Sequence, residues 1–354
     1  MNNGTDIALA LKTLQGGGKV FVPAGSYDIC APVVMDIPCQ KLEGEVWNYS
    51  SDPNGVFESR YGTKLRMRRN DIPAIDIAPQ RVLGGNVIRD IGIQGNISGM
   101  DTRGLFDFSN PAAASGLYFG GQRIDQAEFS KISFCGLASA VCAAGDSEID
   151  ACTFEKLNTD GCCIGIYFSP RAAFYPMFRQ CIVADNPAYG FFADGRGRII
   201  HNVEVSECRF VRNGGAFPED GLPHAAVCLY HINKCALRDN LIDDPGTFWY
   251  YDPNATCNDQ RQPSHRKTTA IHVEGCENRI TGNTVLNSSA ESIVVKGDRN
   301  ILLNNIVDGD IVVEGTGNIL SGNVFTKPEA RLVLKGKCEG TQISGIPEDR
   351  IVRM

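Results

Sequence analysis

AIHVEGCENRITGNTV, residues 270–285, returns with its skeleton intact as SIVVKGDRNILLNNIV from Ser292 and as DIVVEGTGNILSGNVF from Asp310. All three fit x-Ile-x-Val-x-Gly-x-x-Asn-x-Ile/Leu-x-x-Asn, and a looser copy, RLVLKGKCEGTQISGI, starts at Arg331. The starts at 270, 292, 310 and 331 are separated by 22, 18 and 21 residues. A period near 20 with short, alternating apolar strands marks a solenoid. The Leu-x-x-Leu-x-Leu frame of leucine-rich repeats is absent. Each unit therefore reads as three short strands with bends between them, one coil of a parallel β-helix.

Side chains alternate along a strand, so the Ile-x-Val positions face inward and their neighbours outward. Asn278, Asn300 and Asn318 fall at one bend; Asn283, Asn305 and Asn323 fall at another. Asparagine tolerates left-handed backbone, and its amide can bond its own chain or the same residue one coil away. These residues read as architectural. Earlier, less regular coils have first strands at AIDIA (74–78), GLYFG (116–120), AVCAA (140–144), GIYFS (165–169), GFFAD (190–194) and AVCLY (226–230). The expected fold is all-β: a right-handed, single-stranded parallel β-helix of about ten coils forming one domain over 1–354. Residues 1–40 supply an N-terminal cap and first strands, and 244–269 form a long loop insertion.

Composition agrees with a turn-rich globular chain: 43% hydrophobic, 21% charged, 38 glycines. A net charge of -7 argues against nucleic acid as a partner, because phosphate binding needs a basic face. No apolar run approaches the roughly 20 residues that cross a bilayer, so no membrane partner is expected. MNNGTDIALALK lacks the layout of a signal peptide. The expected location is the cytoplasm, or outside it or in the periplasm if a leader has been removed. The 14 cysteines sit mainly in apolar, strand-like runs and read as buried free thiols without metal-binding spacing.

TDIALALKTLQGGGKVFVPAGSYDI, from Thr5, has a capping Thr5 or Asp6, a short amphipathic helix, a glycine stop, then a strand and a turn at PAGSY. Such a helix would cover strand edges at one end of the solenoid. In this feature and in its coil pattern the chain resembles the pectate-lyase-like superfamily of right-handed parallel β-helices. That resemblance implies a carbohydrate partner, and often a homotrimer. It names no single reaction, since the superfamily includes calcium-dependent lyases, hydrolases with paired carboxylates, epimerases, fructan-converting transferases and phage tailspikes.

Outward positions of the first strands stack into columns roughly 4.8 Å per coil. Tyr118, Tyr167, Phe192 and Tyr230 form an aromatic stripe suited to sugar rings, or to packing beneath the long loops. Asp194, Glu274 and Lys296 share a column, the two carboxylates two coils or about 10 Å apart, near the upper limit for an inverting pair. The expectation is that Lys296 holds Glu274 ionised as a base, while the aromatic setting of Asp194 favours a proton donor. Substrate contacts are expected from Tyr167, Phe192, Tyr230, His272 and Trp249. Loop residues Glu219, Asp220, Asp243, Asp244, His224, His231 and His265 are further candidates. A glycoside hydrolase without a cofactor is the simplest reading. A uronate lyase, with Lys296 as base and calcium as cofactor, and a non-catalytic glycan-binding or fibre module are the alternatives.

Overall fold

The computed structural model describes residues 4–45, 62–95, 106–214, 221–249, 261–263 and 267–354. The chain winds as a right-handed parallel β-helix, the hand that parallel crossovers almost always take. One ladder holds 12 strands, from Val33–Met35 to Ile351–Arg353, and every expected first strand lies on it. Its register confirms the repeat: Ile271, Ile293, Ile311 and Leu332 are successive partners. A 21-strand sheet forms the remaining walls, joined over the middle coils by a five-strand sheet that runs from Leu83–Gly84 to Ile199–His201. The single antiparallel pairing among the described strands joins Thr247–Trp249 to Arg261–Pro263, inside the 244–269 insertion.

The interior follows from the alternation. Where four strands make a coil the bore is wide, and Phe129, Phe154 and Phe178 fill it as a stack with ring centroids 5.0 and 4.4 Å apart. Beyond Leu237 the coils have three strands, and the inward positions pass to Ile280, Leu302 and Leu320, all fully buried. Each large apolar side chain so buried contributes about 1.5–3 kcal/mol.

The asparagines do bond between coils, but the left-handed backbone belongs to their predecessors. Glu277, Arg299 and Gly317 have φ of 62°, 54° and 64°. Asn278, Asn300 and Asn318 follow inward, and each of the first two donates its backbone N–H to the next side-chain oxygen at 2.9 and 2.8 Å. Asn283, Asn305 and Asn323 repeat the arrangement with an additional side-chain rung at 3.0 and 2.9 Å. This second column continues backwards through Asn240 to Cys208 and Cys181, where the thiol Sγ of Cys208 accepts the Cys181 N–H at 3.4 Å. All described cysteines are free thiols, most of them buried; Cys257 lies outside the described residues.

The N-terminal helix runs Gly4–Thr13 and buries Ile7 and Leu11 against the first coil. Thr5 and Asp6 lie within its first turn and not at its cap, with Asp6 placed to favour the helix dipole. Gly17 and Gly18, with φ of 87° and 131°, turn the chain into the first strand.

Candidate functional site

The expected columns exist on the outward side of the 12-strand ladder. One runs Val34, Asp76, Tyr118, Cys142, Tyr167, Phe192, Cys228, His272, Val294, Val312. Its neighbour runs Asp194, Tyr230, Glu274, Lys296, Glu314, Lys335. Facing outward does not make these residues exposed. A second apolar cluster covers the middle of the first column: Phe106 and Phe108 fold over it and Leu222 closes its flank. Phe192 is wholly buried, its ring stacked 4.4 Å from Tyr189 and edge-to-face with Phe108 at 6.2 Å. Tyr167 packs 4.9 Å from Phe106 and is 7% exposed, and burial pushes its hydroxyl up to about 12. Over Tyr167 and Phe192 the stripe expected to meet sugar is thus a packed seam, with no ring face of Phe192 open to a ligand, while Tyr118 stays partly exposed. Tyr230 is displaced from that stripe into the second column and stays partly exposed.

Asp194 is 6% exposed and held by Arg196 two residues on. The guanidinium donates from Nη2 to Oδ2 at 2.7 Å and from Nε to Oδ1 at 3.0 Å, and the Arg196 backbone N–H reaches Oδ1 at 3.1 Å. Such a fork engages both oxygens of the carboxylate, so Asp194 is tied to Arg196 where a free proton donor was expected. Arg196 in turn lies over the Tyr230 ring, 5.2 Å from its centroid.

Glu274 is the more available acid. Its Oε1 lies 3.2 Å from Nε2 of His231 and its Oε2 lies 3.8 Å from Nε2 of His272. Both imidazoles lie within 4 Å of the carboxylate, and among the described residues no ion pair joins Glu274 to Lys296. His231 sits just past the strand end with φ of 54°, a turn that swings its half-exposed ring back over the ladder. His272 is buried, and its Nε2 makes no hydrogen bond. Burial, and secondarily the charge of Lys296, lowers its pKa to about 4, so it is neutral beside Glu274 near pH 7. Lys296 is exposed at the next coil. Trp249 ends the strand Thr247–Trp249, and its side chain lies outside the described residues, as do Glu219, Asp220 and His265.

Sequence reasoning missed His231 as the partner of Glu274; the signal was its place immediately after Tyr230, whose register partner is Glu274. It also passed over Asp36. Asp36 and Asp76 line a cleft of about 430 Å³ by the N-terminal helix, where burial and the charge of Asp36 push the Asp76 carboxyl up to about 6. A larger cleft, about 600 Å³, lies over the 21-strand sheet and is lined by residues that include Tyr175, Lys234, Glu204, Glu277 and Arg299. Its two acids are already satisfied, since Glu277 pairs with Arg299 at 2.9 Å and Lys234 at 3.8 Å, and Glu204 pairs with Arg238. Among the described residues no set of three or more His, Cys, Asp and Glu side chains is arranged to hold a metal ion.

No family model matches the sequence, and no curated protein aligns with it. Solved structures match in fold. DFA-IIIase from Arthrobacter chlorophenolicus A6, without its lid and in complex with GF2, superposes with a TM-score of 0.66 at 12% identity, over 100% of this chain and 95% of that one. The same enzyme in complex with GF2 gives 0.63 at 12% identity, over 98% and 91%. The Agl-KA catalytic domain gives 0.54 at 9% identity, over 100% of this chain and 64% of that one. At these identities the likeness is one of fold.

Proposed function

We propose that this chain is a carbohydrate-active enzyme that acts on an oligosaccharide along the second outward column, between Arg196 and Lys296. Glu274 is the proton-transferring carboxylate, His231 its partner, and Tyr230 with Arg196 the wall that receives a sugar ring. The observation that carries this reading is the placement of Glu274, partly exposed and flanked by two imidazoles, beside an aromatic–guanidinium pair. A carboxylate–imidazole couple can take a proton from water or a sugar hydroxyl and return it to a leaving oxygen, work worth typically 10²–10⁴-fold in rate. Neighbouring aromatic and guanidinium planes suit the apolar faces and hydroxyls of sugars. The fold shared with a DFA-IIIase bound to GF2 supports an oligosaccharide as substrate.

This reading departs from a two-carboxylate hydrolase built on Asp194, because that residue is committed to Arg196. The test is turnover of an oligosaccharide panel that includes GF2 by wild type, Glu274→Gln and His231→Asn. The expected result is a loss of about 100-fold or more in Glu274→Gln and a smaller loss in His231→Asn, with both variants folded. Undiminished turnover in Glu274→Gln overturns the assignment. Binding without turnover across the panel by wild type would point to a glycan-binding module.

A further inference from the structure

Among the described residues, the cleft by the N-terminal helix contains four side-chain oxygens, on three residues, with nothing to bond. Val34 and Asp76 are register partners on adjacent strands, and Asp36, two residues beyond Val34, emerges on the same side. Oδ1 of Asp36 accepts the backbone N–H groups of Gln80 at 3.1 Å and Arg81 at 2.9 Å, which fixes the carboxylate and leaves Oδ2 unengaged. Asp76, partly buried, has no hydrogen bond or ion pair among the described residues. Gln40 is 1% exposed; its Nε2 donates to the Leu11 carbonyl at 2.6 Å, which orients the amide, and its Oε1 is buried without a partner. All three residues line the same cleft.

Such a set consists of acceptors. A bound species must therefore bring positive charge or donors. A neutral sugar would leave two like charges facing one another, whereas one divalent cation neutralises both. Lys12 and Arg81 also line the cleft, yet neither forms an ion pair with Asp36 or Asp76 among the described residues. Oxygen-only donors select hard cations over zinc or copper, and an irregular, roomy set that leaves space for water suits calcium better than octahedral magnesium. We propose that Asp36, Asp76 and the side-chain oxygen of Gln40 bind a divalent cation of the calcium class, clamping the N-terminal helix to the first coils through the Gln40–Leu11 hydrogen bond. This assignment is independent of the glycan reading at Glu274.

The experiment is calcium titration of the full chain, stripped with chelator, followed by calorimetry and by thermal unfolding, with terbium as a luminescent probe. Tyr118, the register partner of Asp76 on the next coil, is placed to sensitise terbium emission. Wild type is expected to bind saturably and to unfold at a higher temperature with calcium. Asp76→Asn is expected to lose at least about tenfold in affinity while unfolding in chelator no earlier than wild type. The proposal is overturned if wild type shows neither heat nor stabilisation up to about 10 mM calcium, beyond the weakest protein calcium sites, or if Asp76→Asn responds as wild type does.

Discussion

Arg196 holds Asp194 through both carboxylate oxygens while its guanidinium lies over Tyr230, one coil further along. Asp194 therefore shapes the wall of the candidate site without reaching its centre. Asp194→Asn is expected to lower stability by about 1–2 kcal/mol, discounted for the exposed side of Arg196. It should also raise KM more than it lowers kcat. Thermal unfolding alongside steady-state kinetics checks this, and an inactive variant of unchanged stability would restore Asp194 as a proton donor.

His272 makes stability depend on pH in a defined direction. Its pKa in the folded chain, about 4, lies below the ordinary 6.5, so the unfolded chain binds more protons between those values. Stability from this residue is complete above about pH 6.5 and is lost as pH falls toward 4, by on the order of 3 kcal/mol. His272→Gln is expected to flatten that part of the profile. Parallel denaturation curves at several pH values measure the difference, and equal slopes in the two proteins would contradict it.

Phe192 is a packing residue. Phe192→Ala should cost about 3–5 kcal/mol, the range for truncating a fully buried phenylalanine. Phe192→Leu, which retains most of the volume, should unfold much closer to wild type and keep its substrate affinity. A specific rise in KM for the leucine variant, without destabilisation, would put the ring back in contact with ligand.

The bend columns predict their own tolerated substitution. Asn305 exchanges bonds with Asn283 on one side and Asn323 on the other, and its Nδ2 also reaches the Ile280 carbonyl at 2.8 Å. Asn305→Ala leaves buried partners unsatisfied, at about 1–3 kcal/mol. Asn305→Cys should be milder, because cysteine already fills this column at positions 181 and 208. Unfolding midpoints of the two variants rank them, and cysteine proving no better than alanine would count against the argument.

The coil pattern was legible because the repeat at 270, 292 and 310 reports both strand position and face, and extrapolation placed Asp194, Glu274 and Lys296 in one column as the register has them. What lies on top of that face was not legible. Alternation says which way Phe192 points but not that Phe106 and Phe108 arrive from a loop to cover it. Nor does it report bonds made within a turn: the grip of Arg196 on Asp194 and the return of His231 over Glu274 depend on backbone angles past the strand ends, where the period stops. The bends showed the same limit, since the repeated Asn was visible while the left-handed residue before it varies among Glu, Arg and Gly.

The register Ile271, Ile293, Ile311 joins neighbours that are interchangeable as modules. Excising residues 292–309 would fuse Glu291 to Asp310 and bring Ile311 beside Ile271 with every bend asparagine still opposite another. The shortened molecule should fold as a ruler with one graduation removed. It would also set Glu314 directly against Glu274, so the length of this scaffold and the charge beside its candidate acid are written by the same 18 residues.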